Sequence, residues 1–313
     1  MAPVIGIFLL MFAGYIARAA GVLRATDADV VRSIVTNITG PAFIFAAIFG
    51  KPINGDMIIA PAVHIVSLVI VATAAYAVAR LLKLDRPTTG ALMLVCAFGN
   101  TGFLGYPVVA AAFPRNALAM PAVVMVDQLG ETICMYSIGI AIAMAFGSHA
   151  NGGFKAAMGF LKAPLFLAMV LVFALRLPGI NRIQIPGFIL CTAAGQPNGV
   201  INYLADATIP LAMLSLGLTI TRVPMKSIAV PFIVACALKF AAMPLLNLLG
   251  LHLTGVSGTV GQVAMLEAAM PAAIMTSVVA GRYGSNAKFA SAAVFLMTLM
   301  SIGIIPLVLG LVR

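Results

Sequence analysis

Phe98–Pro107, FGNTGFLGYP, lies in the middle of a stretch that otherwise reads as a membrane span. From Thr88 to Phe113 the chain has no charged residue over 26 positions, which is long enough to cross a bilayer. Its centre nevertheless carries Gly99, Asn100, Thr101, Gly102, Gly105 and Pro107. Inside a helix glycine costs about 1 kcal/mol relative to alanine, and proline removes a hydrogen bond and clashes with the preceding turn. At that depth there is no water, so freed backbone groups must meet protein, ligand or a wet cavity. Two readings fit this stretch. One is a substrate site of the kind that transporters build from broken spans; the other is a proline-kinked helix packed through small residues.

The surrounding composition places the break in a membrane. The chain is 63% hydrophobic and 8% charged, with a mean hydropathy of +1.14, whereas a soluble domain carries roughly 25% charged residues. Apolar segments run along the whole length, leaving no room for a separate soluble domain. The first of them, Pro3 to Ala20, lacks a basic leader and reads as a retained span. A net charge of +10 would suit nucleic acid, but Lys and Arg form short clusters between spans with no basic face and no interleaved aromatics. Cys96, Cys134, Cys191 and Cys236 are isolated and mostly apolar in setting, which points to packing. No cofactor or metal is implied.

Spans are predicted at 3–20, 30–49, 57–79, 88–113, 119–146, 160–177, 199–221, 227–249, 259–281 and 287–312. The odd-numbered connections hold twelve Lys and Arg, and the even ones with the C-terminus hold five. The positive-inside rule then puts the odd connections in the cytoplasm and both termini outside, as expected for a cytoplasmic (inner) membrane.

An internal repeat is visible at an offset of about 170 residues. Pro41 in span two matches Pro210 in span seven, and Gly90–Asn100 can be laid on Gly261–Pro271, each reaching a helix breaker near mid-membrane. Residues 1–146 and 160–313 form the two halves, with 147–159 as a cytoplasmic linker. Five spans per half is an odd number, so the halves must be inverted relative to each other. Inverted repeats whose broken spans meet at the midplane are the architecture of several secondary transporters.

Four stretches carry a resemblance to a known family: Gly14–Leu23, Gly99–Val109, Leu238–Gly250 and Glu267–Gly284. The chain resembles the auxin efflux carrier family of permeases, which includes bacterial malonate and malate carriers and the plant PIN proteins. The resemblance implies an all-α fold of the bile-acid-symporter type. Spans one, two, six and seven would form a scaffold, often dimeric. Spans three to five and eight to ten would form a mobile transport unit, with spans four and nine crossing at their breaks. The segment between Pro178 and Gly199 departs from that pattern by its length. Its apolar run, Ile185 to Ala194, suits an interfacial helix or an extension of span seven.

Few charges lie within spans, and such residues usually face a cavity or each other. Lys239, near mid-depth of span eight, could neutralise a substrate carboxylate or pair with Glu267 or Glu131. Asp127 and Glu131, four apart on one helical face, suit a proton or cation relay, although Asp127 could also be solvated near the outer end. Glu267, four residues before Pro271, is a candidate coupling group for H+ or Na+. Asp206 reads as scaffold. At the breaks, Asn100, Thr101, Gly102, Tyr106, Pro107, Pro271 and Ala272 are the candidate substrate-binding residues, with Asn37 from the scaffold wall. Helix N-termini converging there would lend positive potential suited to a small carboxylate.

The expected function is secondary transport of a small organic anion by elevator-type alternating access. Sodium-coupled symport of the bile-acid type and a passive anion channel are the alternatives. An intramembrane enzyme would need a nucleophile with a base or a metal-binding cluster. His64, His149 and His252 are far apart in sequence, and no GxSxG or HExxH is present. No GxxxxGK[ST] loop for ATP is present either.

Overall fold

The computed structural model describes residues 2–148, 161–176, 185–190, 199–219 and 228–312. It is all-helical, with no β-strand among these residues. Six helices are long and apolar enough to cross a membrane. They are α2 (Asp27–Ile48), α3 (Asp56–Leu81), α6 (Ala119–Phe146), α8 (Val200–Leu218), α9 (Ala229–Thr254) and α12 (Ala287–Val312). The other four predicted spans are shorter or interrupted. Two are α1 (Ala2–Ala19) and α7 (Pro164–Ala174). The stretch 88–113 is split into α4 (Arg86–Ala97) and α5 (Thr101–Ala112), and 259–281 into α10 (Gly258–Ala268) and α11 (Ile274–Tyr283).

Proline chemistry shapes several of these helices. Widened π turns occur at Val35–Thr39, Thr101–Gly105 and Leu238–Ala242, and each is followed two residues later by a proline: Pro41, Pro107 and Pro244. A proline has no N–H to donate, and its ring crowds the carbonyl one turn back. The preceding turn opens to relieve that contact, as helices do where their ladder is disturbed. Two further π turns, Val126–Thr132 and Met135–Gly139, interrupt α6 without a proline.

Helices α1, α2, α7 and α8 pack on one another, with α8 lying against both α1 and α2. Helix α3 packs against α4, α6, α9 and α10, and α11 against α12 and α4. The buried apolar residues fall into two clusters, one containing Met11, Ile44 and Met213 and the other Leu92, Phe98 and Phe289. Large apolar side chains such as Leu9, Ile16, Val66, Ile233 and Leu307 remain on the outside, as expected of a surface that meets lipid rather than water.

The described part of the 178–199 segment, residues 185–190, is a turn and not a helix. The carbonyls of Phe188 and Ile189 accept from Val200 N (3.0 Å) and Ile201 N (2.8 Å), so the turn satisfies two of the N-terminal amides of α8. The rest of that segment, and most of the expected 147–159 linker, lie outside the described residues.

Candidate functional site: the crossing of two broken helices

Helix α4 ends at Ala97, where Phe98 adopts extended backbone (φ −99°, ψ 123°). In the other half of the chain α10 ends at Ala268, and Ala273 is extended before α11 begins (φ −65°, ψ 140°). The two extended pieces pair antiparallel at Gly99 and Ala272. Asn100 N donates to Pro271 O at 2.7 Å, and Ala273 N donates to Phe98 O at 3.0 Å. Each break thus supplies the backbone partners that the other lost, which is the accounting that a water-free interior demands. The antiparallel pairing also places the N-terminal ends of α5 and α11 at the crossing.

Two carboxylates of α6 hold the residues on either side of Asn100. Glu131 Oε1 accepts from Gly99 N at 2.5 Å, and its Oε2 lies 3.0 Å from His64 Nε2 of α3. Asp127 accepts from Thr101 Oγ1 at 2.5 Å, from Gln128 Nε2 at 2.7 Å, and from the Tyr106 hydroxyl. The Tyr106 ring stacks on Phe43 of α2, with centroids 5.1 Å apart. Asp127, Gln128 and Glu131 all sit in the π turn Val126–Thr132, and the extra residue in such a turn shifts which side chains share a face. Asp127 is buried rather than solvated at an outer end, with 5% of its surface exposed. Its role in this geometry is to position Thr101 and Tyr106.

Lys239 makes no ion pair with Glu267 or Glu131. Glu131 faces His64 and Gly99 N, not Lys239. Lys239 Nζ instead approaches the Ala97 carbonyl at 3.4 Å, at the C-terminal end of α4. A cation there meets the negative end of the helix dipole and carbonyls that have lost their helical donors. A π turn within α9 carries Lys239 to this position. Glu267 is fully buried, and neither carboxylate oxygen has a hydrogen-bond partner. It lies against the Cα of Gly105, where an added Cβ would collide with its carboxylate. Gly99 is similarly close, an added Cβ falling 2.9 Å from Lys239 Nζ. Both glycines are thus positions of close approach, where an added Cβ would displace the end of a charged side chain.

A cavity of about 420 Å³ opens beside the crossing, within the range of small-molecule sites. Asn100, Thr101, Gly102 and Asn37 line it, as do Asp127 and Glu131. Asn100 is 3% exposed, and its Nδ2 has no hydrogen-bond partner. Asn37 donates to Ser33 O at 2.8 Å. The remaining candidates do not line this cavity. Tyr106, Pro107, Pro271 and Ala272 are buried behind it, and so are Glu267 and Lys239. Asp206 is exposed on α8 and is not on the cavity wall.

Sequence reasoning missed three participants. His64, an isolated histidine in the sequence, is fully buried against Glu131. Gln128 sits between the two carboxylates and is a neutral side chain with no motif around it. Arg32 falls at the start of the expected span 30–49 but is not among the candidate residues; on α2, which begins at Asp27, it lies on the cavity wall. Its signal was available: the Asp27 and Asp29 carboxylates suit the first turn of a helix, where the dipole is positive.

Comparison with known proteins gives a family for this chain. The family described as membrane transport protein matches residues 1–151 and 153–309. An "Uncharacterized transporter" of Methanothermobacter thermautotrophicus is 29% identical over 307 residues, covering 97% of this chain and 95% of that one. An "Uncharacterized transporter" of Methanocaldococcus jannaschii is 30% identical over 312 residues, covering 98% and 97% respectively. A "Putative malonate transporter" of Rhizobium meliloti is 28% identical over 235 residues, covering 69% and 65%. Multiple membrane-length helices and a family match along nearly the whole chain make this an integral, multi-pass membrane protein. The chain belongs to the membrane transport protein family, the auxin efflux carrier family that its sequence motifs resemble.

Proposed function

We propose that the protein is a secondary carrier of a small organic anion, a carboxylate, bound where the cavity meets the helix crossing. The observation that carries this reading is Asn100, whose buried amide has an unused donor on the cavity wall. Buried donors are normally satisfied, and a carboxylate oxygen would complete this one. Positive helix ends at the crossing favour the same charge. Malonate is the first substrate to test, because one relative bears that name.

The transport cycle follows from the packing. In this proposal α1, α2, α7 and α8 form the scaffold, and the helices that contain or embrace the crossing move against it as one body. The ten expected spans, in two inverted halves with short or broken members, belong to the same reading, as does a homodimer in the cytoplasmic membrane. The cavity runs from the crossing towards the starts of α2 and α7, which the positive-inside rule assigns to the cytoplasm. The conformation described is therefore inward-facing. Glu267, with both oxygens unpartnered, is where a coupling cation, H+ or Na+, would be held.

The deciding experiment is a thermal-shift screen of purified protein against carboxylates, with and without sodium and at two pH values, followed by counterflow of the stabilising ligand in liposomes. Ligand stabilisation follows affinity and concentration. Stabilisation by malonate and saturable counterflow are expected. No stabilisation by any carboxylate would refute the anion reading, and flux without saturation or counterflow would indicate a channel.

A further inference from the structure

The cavity that carries the proposed anion is lined by three acidic side chains, Asp29, Asp127 and Glu131, and among its described lining residues by a single basic one, Arg32. Asp127 and Glu131 are occupied in holding Thr101 and Gly99. An anion entering such a space meets repulsion everywhere except at Arg32, the crossing's amides and its helix ends.

Arg32 is unusual in how its donors are used. Its Nη1 donates to Asp29 Oδ1 at 2.8 Å, and that carboxylate is 80% exposed. Its Nε is buried and has no hydrogen-bond partner. Nε and Nη2 form the edge of the guanidinium that grips a carboxylate with two parallel hydrogen bonds. That edge is free, while the opposite corner is tied to Asp29 in a way that fixes the plane of the group. A buried charged donor left unpaired is costly, so its persistence points to a missing acceptor. Arg32 also lines an adjoining cavity of about 240 Å³ between α2, α8, α11 and α12, and so stands where the scaffold meets the crossing unit.

We propose that Arg32 is the specificity-determining residue of the site: its Nε–Nη2 edge takes one carboxylate of a dicarboxylate whose other end reaches the Asn100 amide. This deepens the anion reading above and rests on it. A monocarboxylate of the same size satisfies only one of the two donors and binds more weakly. Because Arg32 belongs to α2 and Asn100 to the crossing, the two groups hold the ligand together only while the cavity faces this side. When the crossing unit moves, the second carboxylate leaves its partner.

The test is titration of purified protein with malonate and, as the three-carbon monocarboxylate, propionate. Wild type, Arg32→Gln, Arg32→Lys and Asp29→Asn are compared by ligand-induced thermal stabilisation. Arg32→Gln should weaken malonate about tenfold, the change expected for one charge-assisted contact, and leave propionate within about twofold. Arg32→Lys, which keeps the charge without the fork, should fall between. Asp29→Asn keeps an oxygen acceptor for Nη1 while removing a negative charge from the cavity wall, and should bind malonate as tightly as wild type or more so. If Arg32→Gln does not fold, Arg32→Lys and Asp29→Asn carry the test. Unchanged malonate affinity in the Arg32 variants, or an equal loss for both ligands, overturns the assignment while leaving the carrier reading intact. A wild-type protein that melts cooperatively but binds neither acid overturns both.

Discussion

Replacing Asn100 by Ala should separate stability from transport more cleanly than any other change at the crossing. The Asn100 backbone pairs with Pro271, and that hydrogen bond survives the substitution. The side chain, by contrast, is 3% exposed with an unpartnered Nδ2. An unsatisfied buried donor costs about 1–3 kcal/mol, so its removal offsets the small packing loss beside an existing cavity. The unfolding midpoint should therefore hold, or rise by about 2–4 °C for each kcal/mol gained, as in larger domains. The chain has no tryptophan, which rules out that fluorophore. Cys96 and Cys134 are buried, however, and a thiol-reactive dye reports their exposure on heating. Uptake into liposomes should fall about ten- to a hundredfold, the worth of one hydrogen bond to a charged ligand (~1.5–3 kcal/mol). A midpoint lowered by more than about 5 °C would make Asn100 a structural residue. Wild-type uptake would remove the crossing from the binding site.

The other expectations concern the groups that build the crossing. Gly105→Ala should lower thermal stability, because its Cβ meets the Glu267 carboxylate; adding Glu267→Ala should recover much of the loss, and a strictly additive double variant would deny the contact. His64→Leu should destabilise the fold by about 1–3 kcal/mol by removing a buried hydrogen-bond partner of Glu131, with Glu131→Gln in the same chain recovering part of the loss; equal melting of wild type and His64→Leu would show the pair to be idle. Lys239→Met should lower the melting temperature without changing carboxylate affinity, since Lys239 does not line the cavity; a selective loss of affinity would place it in the binding site instead. Asp127→Ala leaves Thr101 and Tyr106 without their acceptor and should lower stability and transport together, unlike Asn100→Ala.

Much of the fold was legible because its signals are local. A charge-free run of membrane length is a property of one stretch, and so is a Gly-Asn-Thr-Gly or Met-Pro interruption within it. Membrane helices satisfy their own backbone, so each can be located without knowing its neighbours. Both breaks, Asn100 and Pro271, were identifiable for that reason. Span lengths are less secure: α1 has the 18 residues expected of span one, but α7 covers only Pro164–Ala174 of the expected 160–177, and residues 185–190 form a turn within the apolar run 185–194. The proline-linked π turns at Val35–Thr39 and Leu238–Ala242 left a sequence trace, but their phase shifts did not.

Which side chains meet is a matter of tertiary structure. Lys239 and Glu267 have opposite charge and similar depth, yet π turns and helix rotation send Lys239 to the Ala97 carbonyl and Glu267 to Gly105. Glu131 finds His64, 67 residues away along the chain, through the packing of α6 on α3. Arg32 lies near the start of its span in the sequence, and only the packing of α2 puts it on the cavity wall. The sequence by itself determined a membrane protein's composition, the number of apolar stretches and the two places where helices must fail, because those depend on each residue's own backbone and solvation preferences. Only the tertiary structure decided that the two failures repair each other, and that Asn100 and Arg32 are left with donors unpaired. Hydrogen-bond partners separated by a hundred residues or more are chosen by packing, which no local pattern encodes.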